Sequence, residues 1–137
     1  MLRFIEEQKM NNSAGVVGKP DGRPDSVAAV SVDDRLTRIR SLNDRLRMTG
    51  RGGMILMTDG IAGLRREAVE RVFEGVRRFD RFDEGNDPHG EHDFGGLEVD
   101  GRSVFWKIDL YEDPDVKDAN GEPQVTRVLT LMLAHEW

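Results

Sequence analysis

Eleven consecutive residues, Asn86-Asp87-Pro88-His89-Gly90-Glu91-His92-Asp93-Phe94-Gly95-Gly96, hold most of the side chains that could do chemistry. His89 and His92 stand three apart, with Asp83, Glu84, Asp87, Glu91 and Asp93 around them. Pro88, Gly90, Gly95 and Gly96 oppose a regular helix and favour a tight loop. Imidazoles and carboxylates on a shaped loop can hold a metal ion or move a proton. The same composition also describes a hydrated acidic loop.

Three readings of the loop compete. A divalent metal would use His89 and His92 with a third ligand, Asp93 or else Asp87 or His135. The spacing is not that of the zinc protease helix, which needs histidines four apart with a glutamate beside the first. An acid–base site would use His92 as a general base between Glu91 and Asp93, but no serine, threonine or cysteine nucleophile is aimed at it, and no catalytic residue is assigned. The preferred reading is structural: His92 and Asp93 tie the loop to backbone amides, and Asp87, Glu91, His92 and Asp93 form a candidate binding loop. No cofactor is expected, a divalent metal being the alternative. Calcium loops fail by register. Counted from Asp83, the glycine position is Pro88 and the twelfth residue is Phe94; counted from Asp113, the fifth is Lys117. The Gly52-Gly53 and Asp59-Gly60 turns lack the spacing and lysine of a phosphate loop.

A chain of 137 residues is expected to make one domain able to bury a core without staples. The absence of cysteine removes disulfides, thiol nucleophiles and thiolate metal sites. The longest near-apolar run, residues 128–134, suits a strand and is far short of a membrane span. No membrane association and a cytoplasmic location are expected. The net charge of −6 is unevenly spread. Residues 31–81 carry twelve arginines, no lysine and eight acids; residues 82–137 carry four bases against fourteen acids. Arginines interleaved with acids read as solvated helix faces, so nucleic-acid binding by the arginine-rich helices is disfavoured.

Residues 1–30 are expected to be a disordered leader of turn formers, dispensable for folding. Ser31 and Asp34 mark a helix start, and Val32, Leu36, Ile39, Leu42 and Leu46 lie on one stripe until Gly50. Residues 54–58 read as a buried strand. A second helix is expected over 62–79, with Leu64, Ala68, Val72, Val76 and Phe79 on one face. A strand at 97–99 turns at Asp100-Gly101, the preferred type I′ pair. Residues 103–111 alternate strictly, with Val104, Trp106, Ile108 and Leu110 on one face and Phe105, Lys107, Asp109 and Tyr111 on the other. A long polar loop over 112–124 leads to a last strand at 125–134. The order α-β-α-β-β-β predicts an α+β domain over 31–137, with two helices on one face of a small, mostly antiparallel four-stranded sheet.

Leu42-Asn43-Asp44-Arg45, the turn at residues 58–61, Asn86-Asp87-Pro88, the string Gly90-Glu91-His92-Asp93-Phe94-Gly95, Phe105-Trp106-Lys107-Ile108-Asp109 and Arg127-Val128-Leu129-Thr130 with Met132-Leu133-Ala134 carry a resemblance. Over residues 31–137 the chain resembles a family of small bacterial proteins known only as a domain of unknown function, often plasmid-encoded. The resemblance implies no activity. In the family pattern an aromatic residue often stands at His89 and an acid at His135, which argues against a shared two-histidine metal site. The expected function is a small accessory protein that binds another macromolecule, most simply a protein. The alternatives are a metal-dependent hydrolase centred on His89, His92 and Asp93, and a nucleic-acid binder.

Overall fold

The computed structural model describes residues 3–5 and 31–137. Its elements are β1 (Arg3–Ile5), α1 (Val32–Thr49), β2 (Met54–Met57), α2 (Asp59–Ala62), α3 (Arg66–Arg77), β3 (Phe94–Val99), β4 (Arg102–Lys117) and β5 (Pro123–Leu133), with a closing 3-10 turn at Ala134–Glu136. The chain is α+β, as expected.

Ser31 caps α1: its hydroxyl accepts the Asp34 N–H at 3.0 Å. Gly50 ends the helix in the left-handed conformation (φ 76°) and donates its N–H to the Leu46 carbonyl, where a Cβ would be strained. The expected second helix is two helices. Thr58 opens a short turn, α2, a residue after β2, and α3 starts only after Gly63, Leu64 and Arg65. Ala68, Val72 and Val76 form the buried stripe of α3.

The sheet runs β1-β4-β5-β2, with β3 also on β4. β3 takes residues 102–107 of one β4 edge and β1 takes 110–112 of the same edge. β5 runs antiparallel along the other edge, and β2 joins β5 in parallel. The sheet thus has five strands among the described residues, four without β1. β1 lies inside the segment read as a leader; the rest of that segment, residues 1–2 and 6–30, is outside the described residues.

Asp100 and Gly101 make the β3–β4 turn with positive φ of 53° and 77°, as a type I′ turn requires. Asp100 also holds Arg71 of α3 through both carboxylate oxygens, at 2.6 and 3.0 Å, and this lowers the Asp100 pKa. The expected loop at 112–124 is strand on both sides. β4 runs to Lys117, β5 starts at Pro123, and a register shift lies between Asp113 and Lys117. Only residues 118–122 turn the chain. The polar composition there reflects two strand ends in which no residue is buried.

The alternating face of β4 is the core face. Val104, Trp106, Ile108 and Leu110 are all buried, and Trp106 is fully so. Leu129 and Leu131 of β5, Val72 and Val76 of α3, Leu46 of α1, and Ile61 complete the cluster. Phe79 and Phe82 meet Trp106 edge-to-face at 5.5 and 6.1 Å. On the opposite face Phe94, Phe105 and Trp137 form a second edge-to-face group.

β2 departs from expectation. It is a strand, but an edge strand. Met54, Leu56 and Met57 are exposed, and Ile55 alone packs against the core. An apolar run bounded by glycines has the same composition at an edge as in the centre of a sheet, so length and hydrophobicity could not place it.

Truncating the buried indole, Trp106→Ala, should cost about 3–5 kcal/mol, measured by denaturant unfolding. Gly101→Ala should cost about 1 kcal/mol. Nothing lies within 4 Å of a Cβ built at Gly101, so that loss would be purely conformational. A cost near zero for Gly101→Ala would mean that the turn relaxes to another type.

Candidate functional site

One face of α1 carries Arg40, Asn43, Asp44 and Arg47, spaced by three or four residues, which places them in a row. All four grip the segment from the end of α3 to β3. Arg40 donates from Nε to the Gly90 carbonyl at 2.7 Å. Asn43, fully buried, donates to the Glu91 carbonyl at 2.9 Å and accepts from the Arg127 guanidinium of β5. Asp44 accepts from the Arg47 guanidinium at 3.0 Å and lies 2.9 Å from His92 Nδ1.

Arg47 is 5% exposed. Its Nη1 donates to the carbonyls of Val76, Arg77 and Phe79, at 2.9–3.1 Å. These lie at the end of α3, where helix carbonyls lack intrahelical donors and a cation is favoured. The guanidinium also lies 5.4 Å from the ring centres of both Phe82 and Trp106.

The loop is shaped by its own short polar side chains. The Asp83 carboxylate accepts the N–H of Gly85 at 2.9 Å and of Asn86 at 3.0 Å. The Asn86 side chain spans from the Asp83 N–H to the Arg81 carbonyl. These are the local side-chain turns that aspartate and asparagine favour. Asp87 is buried and its carboxylate accepts the His92 N–H at 3.1 Å. That contact holds His92 at a positive φ of 55°. The His92 ring then lies flat on Phe82, 3.7 Å between centres and 6° from parallel. Asp44 faces Nδ1, and an Asp87 oxygen lies 3.8 Å from Nε2.

The sequence-selected residues therefore part company. Asp87, His92 and the backbone of Glu91 converge on α1. Glu91 is itself almost wholly buried. His89 is exposed. Asp93 is half-buried, and its carbonyl accepts the Ile108 N–H of β4 at 2.8 Å. Burial, then the neighbouring Asp87 carboxylate, raises the Asp93 pKa above the ordinary range. Among the described residues no three histidine, aspartate or glutamate side chains gather in a group that could hold a metal ion, and no hydroxyl hydrogen-bonds the His92 ring. An Asp–His pair of this kind can orient an imidazole; here it fastens a loop to a helix.

Sequence reasoning placed the tie on backbone amides near His92. The amide tie is instead made by Asp87, and the His92 ring reaches a carboxylate 48 residues away. The available signal was the row of polar residues at 40, 43, 44 and 47 beside the apolar stripe at 39, 42 and 46. A second long-range carboxylate was also missed. Glu136 accepts from the Thr58 hydroxyl at 2.6 Å, the Leu133 N–H at 2.8 Å and the Gly60 N–H at 2.9 Å. The Thr58 bond, more than the others, lowers its pKa.

His92→Ala should cost about 1–3 kcal/mol for the lost partly buried bond, while His89→Ala should be nearly silent. His92→Gly separates ring from backbone, because it relieves the positive φ and still deletes the imidazole. A double-mutant cycle of His92→Ala with Asp44→Ala should show coupling of about 0.5–3 kcal/mol; additivity would mean that the pair contributes nothing. For Asp93, a folded-state pKa raised above its unfolded value means that ionisation opposes folding. That opposition is present at neutral pH and lifts as pH falls through the folded value. Asp93→Asn should therefore be at least as stable as the parent at pH 7, and the difference should vanish in acid.

Comparison with known families bears on the same segment. The comparisons with curated proteins and with solved structures gave no significant match. The family model described as "Protein of unknown function (DUF3768)" matches residues 57–136. The match takes in β2's last residue, the whole His92 loop and the Glu136 contact, and leaves α1 outside. It covers more than half of the sequence, and the chain belongs to the DUF3768 family of proteins of unknown function.

Proposed function

We propose that this chain is a protein-binding module, a cytoplasmic accessory protein of a bacterial mobile element, that docks a basic segment of its partner. The observation that carries the reading is the charge of the C-terminal part: fourteen acids against four bases over residues 82–137. Glu84, Asp118 and Glu122 of this part are exposed. An acidic surface of this kind steers a basic partner and repels phosphate. The inward commitment of the loop supports it, because the His92 ring is engaged with Asp44 of α1. No described helix is long and apolar enough to cross a membrane.

The test is co-purification from the host at low salt. One basic protein should be retained in fixed ratio and released toward ~1 M salt, where the Debye length falls to about 3 Å. Glu84→Lys or Glu122→Lys, each on an exposed side chain, should weaken retention without lowering the melting point. Retention of DNA or RNA with a steep salt slope, or a stoichiometric divalent metal lost together in His89→Ala and His92→Ala, would replace this reading by a nucleic-acid binder or a metal enzyme.

A further inference from the structure

Among the described residues β3 pairs with β4 and with no other strand, so its outer edge is open. The register fixes which backbone groups face outward. The Ile108 N–H donates to the Asp93 carbonyl, which makes 93/108 a hydrogen-bonded pair. In an antiparallel ladder such pairs recur at every second residue, so Gly95, Leu97 and Val99 bond β4 through partners 106, 104 and 102. Phe94, Gly96 and Glu98 therefore direct their N–H and C=O groups away from β4. Gly96 and Glu98 are exposed.

A groove of about 710 Å³ lies along this edge, bordered by Gly96, Glu98, Phe105, Arg78 and Arg81. Its charges are sorted by position. A Cβ at Gly75 would strike Leu97, and one at Gly95 would strike Phe79. The order along α3 thus opposes that along β3, and the chain beyond Phe79 leads toward the Phe94 end. Arg78 and Arg81, with Asp80 between them, belong to that end, which keeps a net positive charge, and Glu98 belongs to the other. Arg78 is 80% exposed and 3.6 Å from Glu74. Arg81 is exposed, and no hydrogen bond or ion pair engages its guanidinium or the Glu98 carboxylate among the described residues.

We propose that β3 pairs antiparallel with β3 of a second copy of this chain, about a two-fold axis at Gly96. That register puts Gly96 opposite Gly96 and Phe94 opposite the second copy's Glu98. Each of these pairs carries outward groups on both strands, so each exchanges two N–H···O bonds. Each Glu98 also arrives at the arginine end of the other groove. An edge bearing opposite charges at its two ends is self-complementary under a two-fold axis, as an isologous interface requires, whereas like charges on an edge block pairing. The absent side chain of Gly96 allows close approach at the axis. The result is one sheet continuous across two chains.

Sedimentation velocity across micromolar to millimolar concentration reads the outcome, with amide exchange as a second measurement. The parent should shift from 15.5 kDa to twice that mass, and exchange at Phe94, Gly96 and Glu98 should slow as the dimer forms. Glu98→Arg and Arg81→Glu should each weaken dimerisation at least about tenfold. The double variant, with charges swapped, should recover most of that loss. Both sites are exposed, so melting points should stay unchanged. A parent that remains monomeric throughout, or a dimer indifferent to both charge variants, overturns the proposal; the second result would direct attention to the β2 edge.

Discussion

The guanidinium of Arg47 joins helix, loop and core at one point. It closes the carbonyl end of α3, pairs with Asp44, and lies against Phe82 and Trp106. Through Asp44 it reaches His92, and through His92 the loop that leads into β3. A buried cation is tolerated only where its partners replace water. Here three carbonyls and a carboxylate do so, and the carbonyls come from the end of α3, where helix carbonyls lack intrahelical donors. The charge is therefore the point where helix, loop and core are fastened together, and its removal would orphan its neighbours as well as lose its own bonds. The Nε of Arg47 has no hydrogen-bond partner.

Local rules made much of the architecture legible. Ser31, Gly50, Asp100-Gly101 and the alternation from Val104 to Leu110 each state their conformation within a few residues, and each is observed as read. What local rules could not supply is position in the sheet. Met54–Met57 has the composition of a central strand and sits at an edge; the stretch around Asp113 has the composition of a loop and is strand. For β2 the strand that decides lies far away in sequence; for the stretch around Asp113 it is the other arm of the same hairpin, which the turn formers at 118–122 do not reveal. The same holds for the site. The loop residues were legible as a shaped cluster, but their partners Asn43, Asp44 and Arg47 sit on α1, and nothing in the loop announces a carboxylate 48 residues upstream.

The family match begins at residue 57 and ends at residue 136, and these limits have a physical counterpart. Thr58 and Glu136 are bonded to each other, so the matched segment closes on itself. It is nevertheless incomplete as a packed unit, since α1 lies outside it and supplies Leu46 to the core, Arg47 to the end of α3, and Arg40, Asn43 and Asp44 to the loop. A recognisable segment and a foldable one need not coincide when the ties between them are polar contacts spread along a helix.

The parallel pairing of β2 with β5 has a consequence for how the chain comes into being. Met54–Met57 can find its partner strand only when residues 128–131 exist, and Thr58 waits longer still, for Glu136. The β4–β5 hairpin can zip from its short turn, whereas β2 must close a loop of more than seventy residues, a slow step. During synthesis from the N-terminus, an apolar strand and the helices on either side of it are thus exposed well before the sheet that receives them. That interval, more than the finished fold, is when this protein is most open to aggregation or to the hold of a chaperone.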